Sequence, residues 1–270
     1  MIIDFHTHIF PDKIADSTIE ILKQKAKIKA YTKATLQDLK QSMNEAGVDL
    51  SVVLPVVTKP SQFGSILKFA LKISREEGIQ SFGGIHPQTE NYKKELDEIA
   101  ASGLPGIKLH PDYQKTFIDD EKMMVLVQYA INKGLHVVFH AGIDVGYPEP
   151  VHCPPDRAAK LLSKLDYGKE EQGKLIFAHT GGHEQWDDVE TYLVGKEVYF
   201  DLAYNLGKIP DQQLKRMIKN HGAERFLFAT DSPWDGQKQD VEYLEKLDLP
   251  EEVKKAIFSE NAKRLLKIEQ

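Results

Sequence analysis

Short apolar runs punctuate this chain, and longer segments with helical periodicity separate them. The runs cover residues 2–5, 50–54, 81–85, 106–109, 135–139, 175–178, 198–200 and 226–229, and several are rich in valine, isoleucine or phenylalanine. Short runs that are apolar throughout suit strands buried on both faces. Of the intervening segments, 35–46 carries a capping residue at Thr35, an acid at Asp38 and Gly47 just past its end, the start and stop signals of a helix. Residues 119–133 set Met123, Met124, Val127 and Ala130 at helical spacing before Gly134, so those methionines read as core packing. Residues 184–194 and 211–220 follow the same pattern.

Strands alternating with helices predict parallel βαβ units and an α/β fold. Two architectures share that alternation, an open doubly wound sheet and a closed (β/α)8 TIM barrel. An open nucleotide-binding sheet carries a glycine-rich turn after its first strand. Here the first strand runs into His-Thr-His, and neither GxGxxG nor a Walker loop occurs. The barrel is therefore expected, as a single domain over residues 1–270, a length that barrels commonly have. Residues 141–156, with four prolines and two glycines, form a long connection after the fifth strand. On that face of a barrel it reads as a lid or pocket wall.

Composition narrows the classes. Hydrophobic residues make up 41% and charged residues 28%, with a net charge of −6. That balance gives no footprint for nucleic acid or for an anionic membrane, and leaves a small molecule as the expected partner, with a homo-oligomer possible. Cys153 is the one cysteine, so no intramolecular disulfide can form, and its VHCPPD setting reads as a loop thiol. The opening MIIDFHTHIF has no basic leader or long apolar run, unlike a signal peptide. No stretch approaches the roughly 18 apolar residues of a membrane span. A cytoplasmic protein is the expectation.

The candidate chemistry lies at strand ends. Six of the ten histidines, His6, His8, His86, His110, His140 and His179, stand at or just beyond the carboxyl end of an expected strand, and Asp231 ends the eighth. A barrel gathers those ends into one ring. His6 and His8 are two apart and project to one side of a strand, where both can bind one ion such as zinc. His140 is a further candidate ligand. His179 is a candidate for proton transfer or for a second metal. Asp231 can ligate and also carry a proton.

Lys108 and His110 share a face of the fourth strand. A buried lysine is costly unless paired. Three partners stay open for it: Asp4, a substrate carboxylate, or CO2 in a carbamate bridging two metals. His86 reads as a pocket-lining hydrogen-bond donor, His136 as a packed core residue, and His221 as a helix-terminal one. His152 and Arg157 either brace the long loop or reach the pocket.

DFHTH at 4–8, IKLHP at 107–111, FHAG at 139–142, AHTGG at 178–182, ATDSPW at 229–234 and SENAKRLLKI at 259–268 together resemble the amidohydrolase superfamily. The resemblance is to its amidohydrolase-related (amidohydrolase 2) branch, which includes aminocarboxymuconate-semialdehyde decarboxylase and resorcylate decarboxylases. It implies that His6, His8, His140 and Asp231 bind a divalent metal, usually zinc. It also implies that His179 assists proton transfer or holds a second ion. Lys108 stands on the strand where binuclear members carry a carboxylated lysine. The leading expectation is hydrolysis of a small amide, lactone or ester by metal-activated water, with Asp231 and His179 catalytic and Lys108 and His110 at the substrate. The alternative is non-oxidative decarboxylation of an unsaturated or aromatic acid. A non-catalytic metal-binding protein is the remote third reading.

Overall fold

In the computed structural model, residues 1–147 and 149–268 are described. Pro148, inside the expected long loop, and residues 269 and 270, at the end of the expected domain, lie outside the described residues. The strands are β1 (Ile3–Thr7), β2 (Leu50–Val53), β3 (Ile79–Ser81), β4 (Gly83–Gly84), β5 (Gly106–Leu109), β6 (His136–Phe139), β7 (Leu175–Phe177), β8 (Tyr199–Asp201) and β9 (Phe226–Leu227). All pair in parallel and in chain order, as β1-β2-β3 and as β4 through β9.

β3 and β4 are two halves of one strand position, parted at Phe82, whose backbone N–H still reaches Val53 O at 3.0 Å. That leaves eight positions, and the last meets the first. Phe5 N–H donates to Phe228 O at 2.9 Å, Asp231 N–H to His6 O at 2.8 Å and His8 N–H to Ser232 O at 2.6 Å. The fold is the expected TIM barrel, and all eight apolar runs fall on its strands.

Side chains alternate between two cores, as the pleat demands. Val52, Val138, Ile176 and Leu227 pack with Ile3 and Phe5 in one, while Val53, Val137, Phe139 and Phe177 pack against the helices in the other. In β1 the register shifts between Asp4 and Thr7, a bulge that re-aims the strand. Asp4 consequently faces helix Gln237–Lys246, where its carboxylate accepts Gln237 Nε2–H at 2.8 Å and Thr230 Oγ1–H at 2.6 Å. His6, two residues on, turns into the barrel mouth. Of the three partners left open for Lys108, Asp4 is therefore removed, since its carboxylate is turned to Thr230 and Gln237.

Helix Leu36–Ala46 begins at Thr35, whose hydroxyl accepts Asp38 N–H at 3.1 Å, and ends at Gly47 with φ of 69°. Glu121–Asn132 and Asp211–His221 match their expected segments closely, whereas the third is shorter, Trp186–Tyr192. The helix after β1 was not among the segments read as helical. Asp12–Ala26 follows β1 directly and buries only Ala15 and Ile19. Among the described residues no helix is long and apolar enough to cross a membrane.

Candidate metal centre and its pocket

Three elements meet at the centre: the end of β1, the segment after β9, and β8 behind them. His6 donates Nδ1–H to Asp201 Oδ2 at 2.8 Å, and His8 donates Nδ1–H to Leu54 O at 2.9 Å. Each imidazole has thus spent its proton, and its Nε2 lone pair faces the other at 3.1 Å. Asp231 Oδ1 lies 3.3 Å from His6 Nε2 and 3.2 Å from His8 Nε2. Three acceptor atoms crowded together in this way call for a cation. Zinc-type bonds of about 2.0–2.2 Å set neighbouring donor atoms roughly 3 Å apart, so the donor set fits a divalent ion in kind and in spacing.

The backbone is held against its preference at two of these positions. His179 and Asp231 have φ of 58° and 65°, a left-handed conformation that costs non-glycine residues about 1–2 kcal/mol each. Hydrogen bonds lock it. Asp231 N–H donates to His6 O at 2.8 Å, and His179 N–H to Asp201 Oδ1 at 2.8 Å. Asp201 thus orients both histidines, and Ala203 N–H adds a third bond to it at 3.2 Å.

His179 donates Nδ1–H to Ala203 O at 2.9 Å and turns Nε2 toward His140 Nδ1, also at 2.9 Å. His140 stands beside the His6–His8–Asp231 group, one imidazole away, and its buried Nε2 has no partner. Together with His110 Nε2 and Asp144, that Nε2 forms a second group of donors within 4.8 Å of one another. The His110 and His140 rings, however, stack in parallel at 4.0 Å and 9°. Their in-plane lone pairs run side by side, so one ion cannot lie in the plane of both rings. His110 Nε2 instead pairs with Asp144 Oδ2 at 3.3 Å, and Tyr113 stacks on the far face of its ring at 3.7 Å.

Lys108 is completely buried, with Nζ 3.1 Å from His6 Nε2. Burial pushes its amine down to about 8, opposed by Asp201 and Asp231. Burial also lowers His6, His140 and His179 and favours neutral rings, the form in which imidazole ligates. Burial works to raise Asp231, but His6, His8 and His179 around it outweigh that and hold the carboxyl well below its usual range.

The remaining sequence candidates sort by position. His8, His110, His140, His179 and Asp231 line a cavity of about 690 Å³. His86 does not line it, and its Nδ1 accepts Gln88 N–H at 3.2 Å. Arg157 and His152 brace the long loop, paired with Asp119 at 2.5 Å and Asp112 at 3.0 Å. His136 is packed and bonds Leu265 O at 2.9 Å. Cys153 is a loop residue but fully buried.

Sequence reasoning missed Asp201, Asp144 and Tyr113, along with His183, which also lines the cavity and bonds Asn205 Oδ1 at 2.8 Å. For Asp201 a signal existed, an acid closing the VYFD strand. The other three lie in connections whose course the hydrophobic pattern does not give.

The sequence profile of the family described as Amidohydrolase matches residues 3–268. Among curated proteins the chain has no match. Among solved structures it is similar to an uncharacterised TIM-barrel protein from Bordetella bronchiseptica, at 18% identity and TM-score 0.74 over 98% of each chain. It is similar to 5-carboxyvanillate decarboxylase from Sphingomonas paucimobilis, at 13% identity and TM-score 0.71 over 99% of each chain. A third is dihydroxybenzoic acid decarboxylase from Polaromonas sp. JS666 with bound manganese and 2-nitroresorcinol, at 14% identity and TM-score 0.72 over 100% of this chain and 97% of that one. At these identities the likeness is one of fold.

Proposed function

The chain belongs to the amidohydrolase family, and from that membership we propose that it is a metal-dependent decarboxylase of an unsaturated or aromatic carboxylic acid. The observation that carries this reading is the convergence of His6 Nε2, His8 Nε2 and Asp231 Oδ1 beside a cavity with largely apolar walls. The decarboxylases that share the fold, one of them with manganese, support the same direction.

A divalent ion, zinc or manganese, supplies positive charge for the acid's oxygens when bound. We assign it to His6, His8 and Asp231, with His140 beside them as a further ligand. His110, which lines the cavity, is assigned to hold the substrate, whereas the expected substrate role of Lys108 is not kept, because that lysine is completely buried with Nζ 3.1 Å from His6 Nε2 and does not line the cavity. Asp231, kept ionised by its neighbours, takes the proton of a substrate hydroxyl or enol and returns it to the carbon from which CO2 departs. His179 steers that transfer. The oxygen left bare regains a proton from solvent, so the sum is one proton consumed and one CO2 released. Apolar walls help, because they strip hydration from a carboxylate whose charge disperses as the bond breaks. Hydrolysis, the first expectation from the sequence, uses the same donors but needs water admitted beside the substrate, and we rank it second. A lone buried thiol suits a reducing compartment, so we place the reaction in the cytoplasm.

The test incubates protein loaded with Zn2+ or Mn2+ with 2,6-dihydroxybenzoate, 5-carboxyvanillate, alkyl- and phenyl-substituted hydroxybenzoates and a panel of amides, lactones and esters. Metal-dependent CO2 release from an acid is the expected result. Metal-dependent hydrolysis with no CO2 from any acid overturns the reading.

A further inference from the structure

The cavity is much larger than its polar end requires. Its volume of about 690 Å³ falls in the range that takes drug-sized ligands, on the order of 300–1,000 Å³. The histidines and Asp231 occupy one wall. Helix Asp12–Ala26 lines the same cavity, to which it presents Ile14, Thr18, Leu22 and Ala26. These residues are four apart and make one stripe along the helix. The helix core contact, Ala15 and Ile19, lies on a separate stripe.

Helix Phe63–Ile73 repeats the arrangement. Leu67, Ala70 and Ile73 are buried in the core, while Ile66 and Phe69 line the cavity and stay half-buried. Two helices thus turn apolar side chains toward one shared space, Ile14, Leu22 and Ile66 outside the buried core and Phe69 packed partly against it. Lys25, from the first helix, sits over the Tyr147 ring of the long loop at 2.9 Å and joins the two walls of the mouth.

We propose that the substrate is an acid with an extended apolar substituent, a second ring or an alkyl tail, which lies against Ile14, Leu22, Ile66 and Phe69 while its acid head meets the histidines. This rests on the decarboxylase reading for the head and on the two apolar stripes for the tail. Monocyclic hydroxybenzoates are then poor substrates, because they leave the apolar half of the cavity to water.

The experiment titrates metal-loaded protein by calorimetry with 2-hydroxybenzoate and with its butyl, hexyl and phenyl derivatives, each prepared at every ring position. CO2 release is measured from the same compounds. At the best position the tail raises affinity about fourfold per methylene over the first four. Leu22→Glu and Ile66→Glu cut the ratio of hexyl to parent affinity at least tenfold. Melting curves show that the variants fold, and Leu22→Met restores the ratio if the face alone matters. Tail-independent affinity at all positions, or no binding by any compound, overturns the proposal. CO2 release with no gain from the tail sinks the proposal and leaves decarboxylation standing. A gain from the tail without CO2 release does the reverse.

Discussion

Replacing Asp201 by asparagine tests the centre more sharply than deleting a ligand, because it alters one proton and almost no volume. Asp201 Oδ1 accepts the backbone N–H groups of His179 and Ala203, at 2.8 and 3.2 Å, and Oδ2 accepts His6 Nδ1–H at 2.8 Å. An amide presents one oxygen and one NH2. Turning NH2 toward two backbone N–H groups would oppose donors to donors, and unsatisfied buried groups cost about 1–3 kcal/mol. The oxygen therefore stays with the backbone, and NH2 faces His6. His6 must then accept at Nδ1 and carry its proton on Nε2, the atom that faces His8 and Asp231. A protonated Nε2 has no lone pair for an ion. Changing the group behind a ligating histidine costs on the order of 10–100-fold in metal affinity, or about 1.4–2.7 kcal/mol. The assay is competition for Zn2+ against a chromophoric chelator, with circular dichroism and melting curves of the metal-free protein to show that the barrel survives. Asp201→Asn with wild-type fold and metal affinity within twofold of wild type would refute the reasoning.

Four further outcomes follow from the same geometry. Replacing His6 and His8 together with alanine removes stoichiometric metal, which elemental analysis of the purified protein reads directly. Asp231→Asn lowers the rate by roughly 10²- to 10⁴-fold, the usual worth of general acid–base catalysis, and near-normal turnover would assign the proton to another group. We expect one metal per chain with Lys108 unmodified. Two ions joined through extra electron density on its Nζ, in crystals of the metal-loaded protein, would contradict that. His221, at the end of helix Asp211–His221, donates Nε2–H to Val198 O and accepts Gly195 N–H at Nδ1, and burial lowers its pKa to about 4. This contributes stability that is complete above about pH 6.5 and fades as pH falls toward 4, by roughly 3 kcal/mol at 1.36 kcal/mol per unit. The stability gap between wild type and His221→Gln in urea melts should shrink accordingly between pH 7 and 4, and a constant gap would show that His221 is not the group.

The barrel was legible because both faces of its strands are buried, so each strand is a block of apolar residues whatever its neighbours. The split at Phe82 and the bulge between Asp4 and Thr7 were not, since both depend on how one strand meets the next. The bulge is what takes Asp4 out of the partners left open for Lys108, since strict alternation would have aimed it along with His6. His6, His8 and Asp231 were legible because strand ends of a barrel are neighbours by topology, whatever their separation in sequence. Asp201 was passed over because a single acid closing a strand looks like a solvent-facing terminus until the partner's imidazole is in view. Helix Asp12–Ala26 escaped for a different reason. Its apolar residues serve two faces, Ala15 and Ile19 the core and Ile14 and Leu22 the cavity, so the single-sided stripe of an ordinary surface helix is blurred.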